Sequence, residues 1–202
     1  MREIVKVLEN KSESELVHTI FFDFKPNSTP GQFFMIWIPN VGEKPFTLSY
    51  PNAITIKIAG EFTKSLSKLM PGDQLGIRGP LGKGYPKLKN LTLIGGGVGI
   101  AELRMLALSS ENPTFLLGCR TANEILYLEE FKEMGDVHVT TDDGSLGEKG
   151  IITKLLPHES DNYVICGPEM MMKACLKKLP PEKSFFAIER YMKCAVGLCG
   201  QC

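Results

Sequence analysis

Leu91-Thr92-Leu93-Ile94-Gly95-Gly96-Gly97-Val98-Gly99-Ile100-Ala101 is the stretch on which the fold turns. A strand-like run enters a glycine-rich turn and leaves it as a helix. Such a turn lets backbone approach a phosphate closely, and the helix N-terminus adds free N–H groups and partial positive charge. The spacing is not the usual G-x-G-x-x-G. Gly95 and Gly97 fit, but Ile100 stands where the third glycine belongs. The next strand ends in Cys119-Arg120 rather than in an acidic ribose anchor. A plain tight strand–helix turn is the bland alternative.

Toward the C-terminus, strand-like and helix-like runs alternate. The strands are Leu91–Ile94, Thr114–Leu117, Val137–Thr140, Tyr163–Ile165 and Phe185–Ile188. The helices fall at about 99–109, 124–134, 151–156 and 168–178. This alternation predicts an α/β domain with a parallel sheet. Toward the N-terminus the pattern is short β-branched and aromatic runs. These are Ile4–Leu8, Leu16–Phe22, Gln32–Ile38, Phe46–Tyr50, Ile54–Ala59 and Gln74–Arg78. Pro30-Gly31, Asn40-Val41-Gly42, Pro51-Asn52 and Pro71-Gly72-Asp73 punctuate them, which predicts a small antiparallel β barrel with one short helix near 63–69. The boundary falls near Pro86–Lys89, giving segments 1–87, 88–189 and a terminal stretch 190–202.

The 202 residues carry 23 Lys+Arg and 23 Asp+Glu, so no basic face marks a nucleic-acid binder. The longest purely apolar run, Phe33–Ile38, is far too short to span a bilayer, and residues 1–15 lack the apolar core of a signal peptide. A cytoplasmic protein without a membrane segment is expected. Of six cysteines, Cys194, Cys199 and Cys202 crowd the last nine residues, which reads as metal ligation rather than a disulfide framework.

Three segments occur together: Lys44-Pro45-Phe46-Thr47-Leu48-Ser49, the turn at 95–101, and Cys166-Gly167-Pro168-Glu169-Met170-Met171. In that order they resemble the signatures of the ferredoxin-reductase flavoprotein family, across essentially the whole chain. Gly79–Tyr85, Thr141–Gly147 and the ending Glu189–Cys202 resemble, within that family, the electron-transfer subunits of type B dihydroorotate dehydrogenases. Subunits of hydrogenases and of ferredoxin:NADP reductases share much of the pattern.

The resemblance implies an FAD-binding barrel joined to an NAD(H)-binding α/β domain. Lys44 takes the place that pairs with the FAD pyrophosphate, and Thr47 the place of a hydroxyl near flavin N5; Pro45, Phe46, Leu48 and Ser49 complete the strand. Gly60, Thr63 and Lys64 take the place of a second FAD stretch, with Phe62 where a glycine is usual. Gly96, Gly97, Val98 and Gly99, with Cys166, Gly167 and Pro168, flank the nicotinamide dinucleotide. Glu102 stands where the family has proline. It would repel a pyrophosphate if it pointed inward. Arg120 leaves NADPH open, and the subfamily likeness favours NADH.

Cys194-x4-Cys199-x2-Cys202 matches the first three ligands of a plant-type [2Fe–2S] site, whose fourth ligand is then expected outside this chain. Zinc is the alternative metal, without the paired C-x2-C or histidine spacing it favours. The implied partner is an FMN-containing dihydroorotate dehydrogenase catalytic subunit. The alternatives are a ferredoxin, sulfur or hydrogenase-type reductase, and a nucleotide-sensing or zinc-stabilised module without catalysis. No catalytic acid–base residue is assigned; His18, His138 and His158 fall in no motif.

Overall fold

The computed structural model describes residues 2–156 and 159–202, so the predicted position of His158 lies outside the described residues. The chain divides into two compact units. One is the chain up to Tyr85 together with Glu189–Cys202, and the other is Pro86–Ile188.

The first unit is a six-stranded antiparallel sheet of half-barrel form. Its strands are β1 (Glu3–Ser14), β2 (Val17–Phe22), β3 (Phe33–Ile38), β4 (Gly42–Thr47), β5 (Ala53–Lys57) and β6 (Gln74–Leu81), in the order β4-β3-β6-β1-β2-β5. Val5 and Val7 point inward while Ile4 and Leu8 stay exposed, the alternation of a sheet with one wet face. Ile20, Phe22, Phe34, Ile36, Ile54 and Ile56 fill the core.

Two elements differ from the sequence expectation. β1 runs on past Leu8 because its polar second half is held by a hairpin with β2 and by Asn10. The Asn10 amide donates to the carbonyls of Ser67 (3.0 Å) and Leu69 (2.7 Å). β4 begins at Gly42 rather than Phe46, since Asn40 (φ 60°) and Gly42 (φ 134°) turn the chain back directly onto β3. Pro45 is tolerated because β4 is an edge strand that needs no further N–H donor. Helix α1 (Glu61–Leu66) follows β5.

The second unit is a parallel sheet of β7 (Leu91–Gly96), β8 (Thr114–Cys119), β9 (Asp136–Thr141), β10 (Glu148–Lys149), β11 (Asn162–Cys166) and β12 (Ser184–Ala187), in the order β10-β9-β8-β7-β11-β12. All six residues of β7 are buried, as a central strand covered on both faces requires. Helices α2 (Ile100–Ala107), α3 (Leu128–Met134) and α4 (Glu169–Leu176) connect the strands.

α3 starts four residues later than predicted. Tyr127 adopts a left-handed backbone (φ 57°) and is buried with Leu126, which separates a short turn at Ala122–Glu124 from the helix proper. Phe131 then stacks on Phe115 at 4.4 Å, a pairing worth about 1 kcal/mol beyond its burial. The helix predicted at 151–156 is a single 3-10 turn, Ile152–Lys154, that tucks Ile152 into the sheet core.

Candidate functional site

Successive strands leave β7 in both directions, through β8 and β9 on one side and β11 and β12 on the other. The reversal lies between β7 and β11, and open α/β sheets bind ligands in the crevice outside the carboxyl ends at such a point. Gly95 pairs with Cys166 there, so the turn at 96–99 and the loop Cys166-Gly167-Pro168 meet at one mouth.

The glycines do different work. A Cβ on Gly99 would sit 2.6 Å from the Cys166 carbonyl oxygen, and one on Gly96 would sit 2.5 Å from the Met171 sulfur. Gly167 (φ 154°) faces the Gly96 backbone at 3.0 Å. These three let α2, α4 and the two strand ends close on one another. Gly97 (φ 55°) has nothing within 4 Å of its Cβ position, so it alone of this set opens onto free space. Val98 is half-buried beside it.

Glu102, in the first turn of α2, does not face away. The Cys166 thiol donates to its carboxylate at 3.4 Å, with Cys166 itself buried. Arg120, just past β8, is forked onto Glu124 (2.6 and 3.3 Å), and that hydrogen bond and charge hold its guanidinium above the usual arginine value.

In the first unit, edge strand β4 carries Lys44, Pro45, Phe46 and Thr47, all half-buried. Among the described residues the Thr47 hydroxyl has no hydrogen-bond partner and is free for a ligand. Leu48 and Ser49 lie beyond the strand and are buried. The Ser49 hydroxyl joins Thr55 (2.7 Å), which joins Thr19 (2.9 Å), so its side chain is spent inside the half-barrel.

Phe62 stacks on Phe46 at 6.1 Å and is buried, so the side chain standing where a glycine was expected turns inward. Space above Gly60 is open. The Thr63 hydroxyl reaches back to accept the N–H groups of Ala59 (2.9 Å) and Gly60 (3.1 Å), which stabilises the start of α1 from its third residue. Lys64 is exposed beside it.

The terminal stretch packs with this same unit. Lys44 Nζ lies 4.0 Å from the centroid of the Tyr191 ring, and its hydrogen bond and charge hold the phenol below the ordinary tyrosine value. Arg78 donates to the Cys194 carbonyl (3.3 Å) and to Glu43 (2.9 Å), and Glu43 also takes Arg2 (2.9 Å). Burial pushes the Glu43 carboxyl up, but the hydrogen bonds and charges of Arg78 and Arg2 outweigh it and hold it low. Arg2 in turn lies 4.6 Å over Trp37. Sequence reasoning missed this network. Glu43 lies outside the strand expected at Phe46–Tyr50, so no local pattern pointed to it.

Cys194 Sγ accepts the backbone N–H groups of Leu198 (3.3 Å) and Cys199 (3.4 Å), in a loop turned by Ala195 (φ 63°) and Gly197 (φ 77°). Backbone amides around the sulfur, including that of Val196, lower its thiol to about 6. Cys199 and Cys202 are exposed, and among the described residues no three His, Cys, Asp or Glu side chains are gathered so as to hold a metal ion. Cys119, Cys166 and Cys175 are buried in the other unit, and burial pushes Cys175 up to about 11.

No protein-family model matches the chain. Among known sequences, a Thermococcus kodakarensis protein named probable dihydroorotate dehydrogenase B (NAD(+)), electron transfer subunit, is 39% identical, over 100% of this chain and 90% of its own length. The chain belongs to the family of dihydroorotate dehydrogenase B electron transfer subunits. A Methanocaldococcus jannaschii family member of the same name is 37% identical over 98% of this chain and 82% of its own.

Among solved structures, an NADH-dependent reduced ferredoxin-NADP oxidoreductase superposes with TM-score 0.85 at 29% identity, over 99% of this chain and 81% of that one. The cytochrome b5 reductase domain of Ulva prolifera nitrate reductase (TM-score 0.73, 17% identity, 92% and 97% covered) shares the fold. The family's two-part architecture, antiparallel half-barrel and parallel sheet, is therefore the one seen here. Among the described residues no helix is long and apolar enough to cross a membrane.

Proposed function

We propose that the chain is the electron-transfer subunit of an NAD-dependent dihydroorotate dehydrogenase, moving electrons between NAD(H) and a catalytic partner through FAD and a [2Fe–2S] cluster. The observation that carries this reading is the match to the family over nine-tenths of a relative's length. When bound, FAD links the two-electron chemistry of NAD(H) to the one-electron chemistry of a cluster.

The first unit holds FAD in this reading. The free Thr47 hydroxyl hydrogen-bonds the flavin, Lys44 supplies charge to the pyrophosphate, and open backbone at Gly60 with the exposed Lys64 admits the rest. Lysine gives a point charge rather than a bidentate fork, so phosphate is held less strictly than by arginine. Lys44 must also divide itself between phosphate and Tyr191. Ser49 and Leu48 contribute only backbone.

NAD(H) occupies the crevice between β7 and β11. Gly97 supplies the open approach, and Gly96, Gly99 and Gly167 keep the strand ends close. NADH rather than NADPH is the working cofactor, because the one arginine suited to a 2′-phosphate, Arg120, is already forked onto Glu124.

Cys194, Cys199 and Cys202 supply three thiolates to the cluster, with a fourth from elsewhere. What supports this is the ligand spacing and the amides already turned on Cys194 Sγ, an arrangement that favours a deprotonated sulfur. Arg78 and Glu43 anchor that loop to the strand bearing Lys44 and Thr47. The partner is an FMN-containing catalytic subunit that oxidises dihydroorotate.

The test is coupling. A form of the chain that also carries the fourth cysteine ligand, loaded with FAD, iron and sulfide and mixed with the catalytic partner, should give NAD⁺-dependent orotate, and that form alone should give none. Orotate from the chain alone, or none from the mixture, contradicts the reading.

A further inference from the structure

We propose that Met171 is a positioning residue: its thioether clamps the end of β7 to the loop after β11 and so keeps the mouth of the second unit ordered for a dinucleotide. This rests on the reading that NAD(H) occupies that crevice. Met171 acts through the two loops and is assigned no contact with the ligand.

Three observations lead there. First, Met171 touches both sides of the mouth. A Cβ on Gly96 would meet its sulfur at 2.5 Å and its methyl at 3.3 Å, and a Cβ on Gly167 would meet the same methyl at 2.7 Å. Gly96 ends β7 and Gly167 directly follows β11, so one side chain lies against both backbones. Second, that side chain is rooted. It leaves the first turn of α4, where the next N–H, that of Met172, donates to the Pro168 carbonyl at 3.1 Å. It also packs on the core cluster that contains Ile94 and Ile165, two residues before Gly96 and Gly167 respectively. Third, its neighbours do not share the task. Met170 is 76% exposed, and Met172 packs on the same core without being among the nearest atoms to either glycine.

The unbranched, polarisable thioether suits such an irregular gap between backbones. Truncating it leaves a void beside two glycines, which have no side chains to fill it, and the surroundings relax only partly. The strand ends then sample more conformations, and a ligand must order them as it binds. Affinity falls even though no ligand contact has been removed.

The test compares Met171→Ala with Met172→Ala, which truncates the next residue of α4 against the same core. NAD⁺ is titrated by calorimetry into the full chain with any bound flavin oxidised, so that no hydride moves. Both variants should lower Tm. Only Met171→Ala should raise the NAD⁺ dissociation constant, by about five- to tenfold, the cost of ordering roughly one residue of backbone again. Amide exchange at Gly96, Gly97, Gly99 and Gly167 should quicken in that variant alone. Met171→Leu, of similar volume, should restore most of the affinity. Equal NAD⁺ constants in the two Ala variants, or unchanged exchange at the mouth in Met171→Ala, would reduce Met171 to ordinary packing and overturn the inference. Should Met171→Ala fail to fold, Met171→Val against Met172→Val is read in the same way. Wild type that binds no NAD⁺ removes the crevice reading itself, and the inference with it.

Discussion

Gly99→Ala tests whether the mouth of the second unit is held shut by a glycine. The added Cβ would lie 2.6 Å from the Cys166 oxygen, 2.7 Å from its carbonyl carbon and 2.7 Å from the Gly167 nitrogen. All three are backbone atoms of a strand end, so none can rotate aside. Ordinary contact begins near 3.4 Å, so α2 and the end of β11 must part by roughly 0.8 Å. Overpacking of this kind costs about 1–3 kcal/mol. At ~2–4 °C per kcal/mol for a chain of this length, Tm should fall by roughly 2–12 °C. Because Glu102 rides on the same helix, its 3.4 Å contact with Cys166 should open too, and NAD⁺ should bind more weakly. Gly97→Asn is the control. That position is left-handed but surrounded by open space, and asparagine tolerates such a backbone, so Tm should barely move while the dinucleotide loses room. Differential scanning calorimetry and NAD⁺ titration read both effects. A Gly99→Ala protein with wild-type Tm and affinity would refute the close-packing role.

Thr47→Val removes only a hydroxyl that has no partner within the described chain. FAD binding should weaken by about two- to tenfold, one hydrogen bond's worth, with Tm unchanged; an unaltered FAD dissociation constant would take Thr47 out of the site. Arg78→Ala frees the Cys194 carbonyl and leaves Glu43 with Arg2 alone, so trypsin should cut after Lys193 several-fold faster, followed by mass spectrometry. An unchanged rate would mean that the tail is held by other contacts. The Cys194 thiol is lowered to about 6, so its thiolate fraction, and with it the iodoacetamide rate, should climb as pH rises through about 6. Buried Cys175, pushed up to about 11, should stay unlabelled in folded protein across the same range. Labelling of Cys194 that begins only above pH 8 would contradict the amide nest.

The parallel sheet was the most legible part of the sequence. Its strands are apolar runs of the expected length, and Gly95–Gly99 marked the turn that sets the crevice. The second half of β1 was not legible, because Glu9–Ser14 has no apolar alternation and owes its strand form to pairing with β2 and to Asn10. α3 was placed too early because periodicity does not reveal that Tyr127 leaves the helical region of the backbone. Of the residues named for the site, Lys44 and Thr47 are half-buried on edge strand β4, Gly97 opens onto free space, and Cys166 is buried with its thiol on Glu102. Ser49 looks like a ligand residue in a motif and is instead one link in a buried hydroxyl chain with Thr55 and Thr19. The Glu43–Arg78–Arg2 network and the Tyr191 contact join residues far apart in sequence, so no local pattern announces them.

Anaerobic mixing of the FAD-reconstituted, desalted chain with NADH tests the central claim most directly, with the flavin absorbance followed in a stopped-flow instrument. The account predicts about one bound FAD per chain, retained after desalting and bleached by NADH faster than by NADPH. A folded chain that comes off the column colourless, or a bound flavin that NADH leaves oxidised, would contradict it.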